Sequence, residues 1–501
     1  MAAVPAQNPE SDQRLLQRRR WRALILLSVA QFMVVLDASM VNVPLPTIGR
    51  ALNFSQSSLP WILNAYVLTF GGFLLLGGRM ADLLGRRKVF ISGLLLFAAA
   101  SLVGGFAQSE AWLIAARAVQ GLGGALLSPA ALSIITTTFR DGAERNTALG
   151  VWGAVAGSAG AVGVLLGGVL TQWAGWEWVL WVNVPIGLAA AAIAPSLIGE
   201  SRSESATRSF DVGGAISVTG GLSLLAYALL DTNSAGWGSA QTIGLIAASA
   251  ALIGAFVVIE LRSRAPLVPF WIFRFGSVTG ANVVGLLLGA SLFSMFLFLT
   301  LYMQQVLHYS AIKTGFSYLP LALTIVFTAG LASQLVTRIG FKPVLMTGMA
   351  SLTAGLIWFG QISVGGSYLG DILGPSLLAG AGLGLAFVPI TIAAVAGIQE
   401  REAGLASGLI NTSQQIGGAL GLAVLAAIAD SRTNHLITAG HGNRADLPQA
   451  LTEGFQSAFL VGSGFAALGF ALAFVLIRGS DSRAYQRQEG SAAERPAETR
   501  G

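Results

Sequence analysis

The chain has 501 residues, of which 54% are hydrophobic and only 10% charged, with 29 Lys+Arg against 23 Asp+Glu. Soluble domains carry roughly 25% charged residues, so a soluble protein of this size could not cover its surface with polar groups. Disorder is excluded because disordered chains are poor in apolar residues. The net charge of +6 forms no basic stripe on a soluble face, which excludes nucleic acid. The absence of Cys removes disulfides, thiolate metal sites and Cys nucleophiles.

A membrane-spanning helix needs about 20 mostly apolar residues, and fourteen such runs are predicted. Six lie near 23–43, 59–79, 89–108, 112–137, 149–171 and 178–198, two near 213–231 and 242–261, and six near 278–304, 315–336, 344–363, 373–397, 404–428 and 456–478. The runs are continuous, whereas a β-barrel gives short alternating segments. Trp21, Trp61, Trp112, Trp178 and Tyr302 stand at run ends, where aromatic belts are expected. Arg18–Arg19–Arg20 before an apolar run resembles a secretory signal. The run is too long for a signal core and contains Asp37, so it is expected to be an uncleaved first helix.

Orientation follows from Lys/Arg placement. With the N-terminus inside, 24 of the 29 basic residues fall on inner segments. Four (Arg50, Lys313, Arg432, Arg444) fall outside, and Arg117 is left within the bilayer. One missed helix would invert every later loop, so both termini are expected in the cytoplasm and the protein in the plasma membrane.

An internal repeat supports two halves. Gly78–Lys88 follows the second run and Ser333–Lys342 follows the tenth, 255 residues on, each with a Gly ahead of basic residues. The expected architecture is an all-α polytopic membrane protein of 14 helices arranged 6+2+6, in two pseudo-symmetric halves. The divisions are a tail over 1–22, a six-helix half over 23–198, a linker with two inserted helices over 199–277, a second half over 278–478 and a tail over 479–501.

Chemistry is bounded by what is missing. A phosphate-cradling loop needs Gly-Lys-Ser/Thr. Among the three lysines only Lys313 precedes a Thr, and Ile312 stands where the Gly must be. The histidines (His308, His435, His441) lie in predicted outer loops, and none begins a His-Glu-x-x-His. No cofactor, no metal and no enzymatic activity are expected.

Ionisable residues inside spanning helices are costly and mark function by default. Asp37 lies roughly 21 Å from the inner end of its helix, and Arg117 roughly 8 Å from the outer end of its own, at 1.5 Å per residue. In a core about 30 Å thick the two sit at matching depth and can pair. Burial disfavours the charged carboxylate and a neighbouring cation favours it. Its proton affinity would then change as the pocket opens to either side. The alternative is a static ion pair. The glycines of the fifth run, Gly153, Gly157, Gly160, Gly163, Gly167 and Gly168, and of the thirteenth, Gly404, Gly408, Gly417, Gly418 and Gly421, permit close helix approach. Between the second and third runs, Gly78, Asp82, Gly85, Arg86 and Arg87 are read as a cytoplasmic gate latch. There Gly85 allows a tight turn and Asp82 can cap a neighbouring helix N-terminus.

These residues resemble a known family. Gly78 to Lys88 is similar to the signature loop of the major facilitator superfamily, and Leu113 to Ala125, with Arg117, to its helix-4 motif. Leu36 to Pro46 and Trp181–Val182–Asn183–Val184–Pro185–Ile186–Gly187 resemble the fourteen-helix drug:proton antiporters of the EmrB/QacA type. The resemblance covers essentially the whole chain. It implies the major facilitator fold, with export of small amphipathic compounds in exchange for protons and the proton gradient as energy source. Asp37 and Arg117 would carry coupling, and Asp82 with Arg86 would latch the inner gate. The fifth run departs from the antiporter motif, with Gly163–Val164 where the family has Gly-Pro, ahead of Gly167–Gly168. Thr337 replaces Asp82 in the second loop copy. Some relatives carry further acids in late helices. None is expected deep in runs nine, eleven, thirteen or fourteen here, and Asp371 lies near an outer end, so neutral, anionic or monocationic substrates are favoured.

The substrate cavity is expected near the midplane between the halves. Candidate lining residues are Gln31, Asn42, Asn64, Tyr66, Gln120, Phe296, Tyr318, Trp358, Asn411 and Gln415. Expected partners are the substrate, protons and the lipid bilayer, with the chain a monomer. A nutrient importer or facilitator of the same fold is the alternative. A sensor is disfavoured by the short tails, and a channel by the two-half design.

Overall fold

The computed structural model describes residues 9–55, 57–139, 143–202, 211–263, 266–396, 398, 403–439, 447–480 and 482–483. All regular structure among them is helical. The main helices are α1 (Pro9–Met40), α2 (Trp61–Leu84), α3 (Arg86–Gly105), α4 (Glu110–Thr138), α5 (Ala143–Trp173), α6 (Asn183–Leu197), α7 (Val212–Ala235), α8 (Ala240–Arg262), α9 (Gly276–Leu301), α10 (Leu319–Ile339), α11 (Phe341–Phe359), α12 (Gly374–Val395), α13 (Ala403–Ala439) and α14 (Leu447–Leu476). Short helices Leu45–Ala51, Glu177–Trp181 and Ala311–Ser317 lie between them, and π-helical turns Tyr302–Val306 and Tyr368–Leu373 adjoin α9 and α12.

Among the described residues twelve helices are long and apolar enough to cross a membrane. The predicted runs near 149–171 and 344–363 are also helical, as α5 and α11, but are not among the twelve. Some helix starts carry side-chain caps. The Asp211 carboxylate accepts from Gly214 N at 2.7 Å, and Ser239 Oγ accepts from Thr242 N at 3.1 Å. Pro129, Pro195 and Pro389 sit inside α4, α6 and α12, where tertiary packing tolerates a lost backbone bond.

The packing repeats. Helix α1 contacts α4, α5 and α6, while α4 also contacts α2 and α3, and α3 contacts α6. Moved eight helices on, the same pairs recur: α9 with α12, α13 and α14, α12 with α10 and α11, and α11 with α14. Glycines bring these pairs close. On α5, a Cβ at Gly163 or Gly167 would strike Ser39 or the Met40 carbonyl of α1. On α13, a Cβ at Gly417 or Gly421 would strike Leu286 or Ala290 of α9. Across the two sets, α2 meets α13, and α5 meets Ala311–Ser317 and α10. Helix α7 lies against α2 and α13, and α8 packs on α7.

The repeated loop is repeated in geometry. Gly85 and Gly340 take φ 114° and 84°, a region that favours glycine, between α2 and α3 and between α10 and α11. Just beyond, Arg87 N donates to Glu200 Oε1 and Lys342 N donates to Ser482 Oγ, each at 3.2 Å. Both acceptors follow the sixth helix of their own set.

Two boundaries need correction. Helix α13 runs to Ala439 rather than 428, and α14 starts at Leu447 rather than 456. Asp430 and Glu453 therefore lie on helices. Glu453 pairs with Arg432 at 2.8 Å, and half-buried Asp430 lines a small cavity with Leu59, Pro60 and Phe298. Both helices continue past their predicted apolar runs.

Candidate functional site

Asp37 sits three residues before the end of α1, 0% exposed, and Arg117 on α4 is 1% exposed. Arg117 Nη1 donates to Asp37 Oδ2 at 2.6 Å, so the matching depths read from the sequence bring them together. A buried pair holds only when its other polar atoms are also engaged. Asp37 Oδ1 accepts from Gln120 Nε2 at 2.7 Å and from Asn183 Nδ2 at 2.8 Å. Gln120 also accepts from Arg117 at 2.7 Å and donates to Ser101 Oγ at 2.8 Å. Arg117 Nε donates to the Ile62 carbonyl at 3.1 Å, and the guanidinium lies 4.4 Å from the Tyr66 ring centroid. Helices α1, α2, α3, α4 and α6 thus converge on one polar cluster, with α4 and α6 reaching the carboxylate itself. Arg117 Nη2, Asn183 Oδ1 and the Tyr66 hydroxyl are buried without a partner. The constellation therefore keeps spare donors and an acceptor for a second hydrogen-bonding arrangement.

Tyr66 and Gln120, expected in the substrate cavity, belong to this cluster. Gln31 lies further down α1 and accepts from Ser128 Oγ at 2.8 Å. Asn42 donates to the Ala38 and Ser39 carbonyls at 3.1 and 3.3 Å, closing the end of α1. Asn64 is fully buried with neither amide atom partnered. In the second set, Phe296 stacks on Tyr318 with centroids 5.3 Å apart, and Tyr318 Oη donates to the Phe296 carbonyl at 2.8 Å. Gln415 lies against Gly71 of α2, and Asn411 is exposed on the same helix, α13. Trp358 stands apart, 44% exposed and against Gly374. The ten candidates are thus spread over several places and are not gathered into one group.

At the predicted latch, Asp82 Oδ1 accepts from Arg86 Nη2 at 3.0 Å. Asp82 lies on α2 and Arg86 is the first residue of α3, so the contact joins the two helices across Gly85 through side chains. Glu200 takes the larger share: it accepts from Arg87 N, its Oε2 lies 3.8 Å from Arg87 Nε, and it lies where a Cβ on Gly85 would go, with Oε1 at 2.6 Å. Arg86 N also donates to the Ser201 carbonyl at 3.0 Å. Gly78 lies beside Pro129 of α4. Gly168 of α5 faces the Ala311 carbonyl, whereas the surroundings of Gly153 and Gly157 fall outside the described residues.

Sequence reasoning missed Asn183, Ser101 and Glu200 as site residues. Asn183 stood inside the Trp181–Gly187 motif, a signal that could have singled it out. Ser101 and Glu200 carry none, because their partners lie 19 and 113 residues away.

The chain is 38% identical over 490 residues to the puromycin resistance protein pur8 of Streptomyces alboniger, covering 96% of each. It is 42% identical to the cephamycin export protein CmcT of Amycolatopsis lactamdurans, over 82% of this chain and 85% of that one. The tetracenomycin C resistance and export protein of Streptomyces glaucescens is 34% identical, over 83% and 77%. The fold is shared with an inward-facing bacterial homolog of the human lysosomal transporter Spinster, with a TM-score of 0.63 at 16% identity, covering 94% and 98%. It is shared also with the POT family transporter PepTSo, at 0.62 and 17%, covering 93% and 99%. The Major Facilitator Superfamily profile matches residues 27–422. This chain is therefore an integral membrane transporter, not an enzyme, and belongs to the Major Facilitator Superfamily.

Proposed function

We propose that the protein exports small amphipathic compounds, antibiotics or metabolites, in exchange for protons by alternating access. The observation that carries the coupling is the sealed Asp37 carboxylate, held by one cation and two amide donors within a single set of helices. Charged, it binds Arg117 and draws α1 onto α4. Protonated, it loses the ionic part of that bond and leaves Arg117 to seek Tyr66 or a substrate group. Loading and unloading a proton then changes helix packing, which coupled transport requires. Relatives named for antibiotic export and resistance support the direction and the substrate class.

The architecture is read as 14 spans arranged 6+2+6, divided at 23–198, 199–277 and 278–478. The packing pairs that recur eight helices apart support this, as does the seat of α7 against both sets. Both termini are read as cytoplasmic and the membrane as the plasma membrane, from the basic residues of the inner loops. The working unit is read as one chain, which itself carries both sets of helices.

Direction is tested in proteoliposomes loaded with a fluorescent amphiphile, with an imposed gradient, acid on the side opposite the cytoplasmic face. Export against the proton flow is expected. Substrate moving with the protons would establish the importer reading instead.

A further inference from the structure

Basic residues are scarce on the outer face of a membrane protein, and those present here are not all explained by topology. Of the four expected outside, Arg432 is neutralised by Glu453 at 2.8 Å. Arg50 and Lys313 make no ion pair among the described residues, and the structure brings both to one place. A cavity of about 620 Å³ lies at the outer ends of the helices. One wall carries Arg50, from the short helix after α1, and Gln172, from the end of α5. The facing wall carries Gln305, His308 and Tyr309, with Leu451 of α14. The cavity therefore lies between the two sets of helices. Lys313 stands behind that wall, its ammonium 3.5 Å from the Tyr309 ring centroid.

The described lining residues include no carboxylate. Gln305 Oε1 is buried without a hydrogen-bond partner, and its wall bends at His308, which holds a left-handed backbone (φ 53°) that non-glycine residues rarely adopt. Arg50 on one wall, an imidazole and amide groups on the other, and Lys313 behind Tyr309 make the cavity polar and positive beside leucine, and neither cation has an ion pair among the described residues.

We propose that this cavity is an outer binding site for an anionic amphiphile, a molecule with a carboxylate or phosphate head and an apolar body. In the export reading, on which the direction of passage rests, it receives substrate before release. Its existence does not depend on proton coupling.

The test is a fluorescence titration of the full chain in phosphatidylcholine nanodiscs with dansylglycine and with its uncharged amide. The acid is expected to bind about tenfold tighter, the size of one charge-assisted hydrogen bond. The R50Q/K313Q variant should lose this preference while still binding the amide, and R50K/K313R should keep it. Equal binding of acid and amide to the unmodified protein overturns the proposal whatever the variants do, and so does a preference that survives R50Q/K313Q. Nanodiscs containing phosphatidylglycerol separate the sources of the head. Competition by that lipid, with its retention in native mass spectra only when Arg50 and Lys313 are intact, assigns a lipid phosphate. An unchanged titration assigns the carboxylate of a transported molecule. A protein that shows the preference but exports nothing keeps the site and loses the export reading.

Discussion

Arg117 is among the largest fully buried side chains, and a lone guanidinium in a membrane interior would be costly. It is tolerated because Asp37, Gln120, the Ile62 carbonyl and the Tyr66 face surround it. Removing one partner should be worse than removing both. Arg117→Met leaves Asp37 buried and unpaired, at about 3–5 kcal/mol, and should lower the melting temperature in detergent. The Asp37→Asn/Arg117→Met pair should recover most of that loss; additive losses would mean that the two residues are not coupled. Both charges were legible in the sequence because an ionisable residue stands out in an apolar run. Asn183 and Ser101 were not, because small polar residues are common in membrane helices and only the fold shows which join the buried cluster.

At the scale of elements, the turn at Gly85 is held by geometry that a side chain cannot adopt. Its φ of 114° is strained for any other residue, and a Cβ would meet Glu200 at 2.6 Å. Gly85→Ala should cost about 1–3 kcal/mol from the backbone alone. It should also loosen the Arg87–Glu200 contact, measured as faster hydrogen exchange at the Arg87 amide. Unchanged exchange would remove Glu200 from the latch. The turn was legible through its repeat 255 residues on, where Gly340 has the same role. The extensions of α13 and α14 were not legible, because their more polar turns resemble loop in hydropathy.

For the whole molecule, the recurring pairs describe two similar bundles that touch along α2 with α13 and α5 with Ala311–Ser317. On the predicted outer side Gln304 Nε2 donates to the Val43 carbonyl at 2.7 Å across that seam. The chain has no native Cys, so Val43→Cys with Gln304→Cys can be joined cleanly by a short thiol cross-linker. Alternating access predicts that the link stops net export and that a cleavable linker, once cut, restores it; full transport in the linked protein would contradict two moving halves. The central claim, that Asp37 carries the proton, is tested most directly by Asp37→Asn in proteoliposomes. Gradient-driven export should be lost while substrate exchange at zero gradient is retained. Gradient-driven export at the unmodified rate would contradict it.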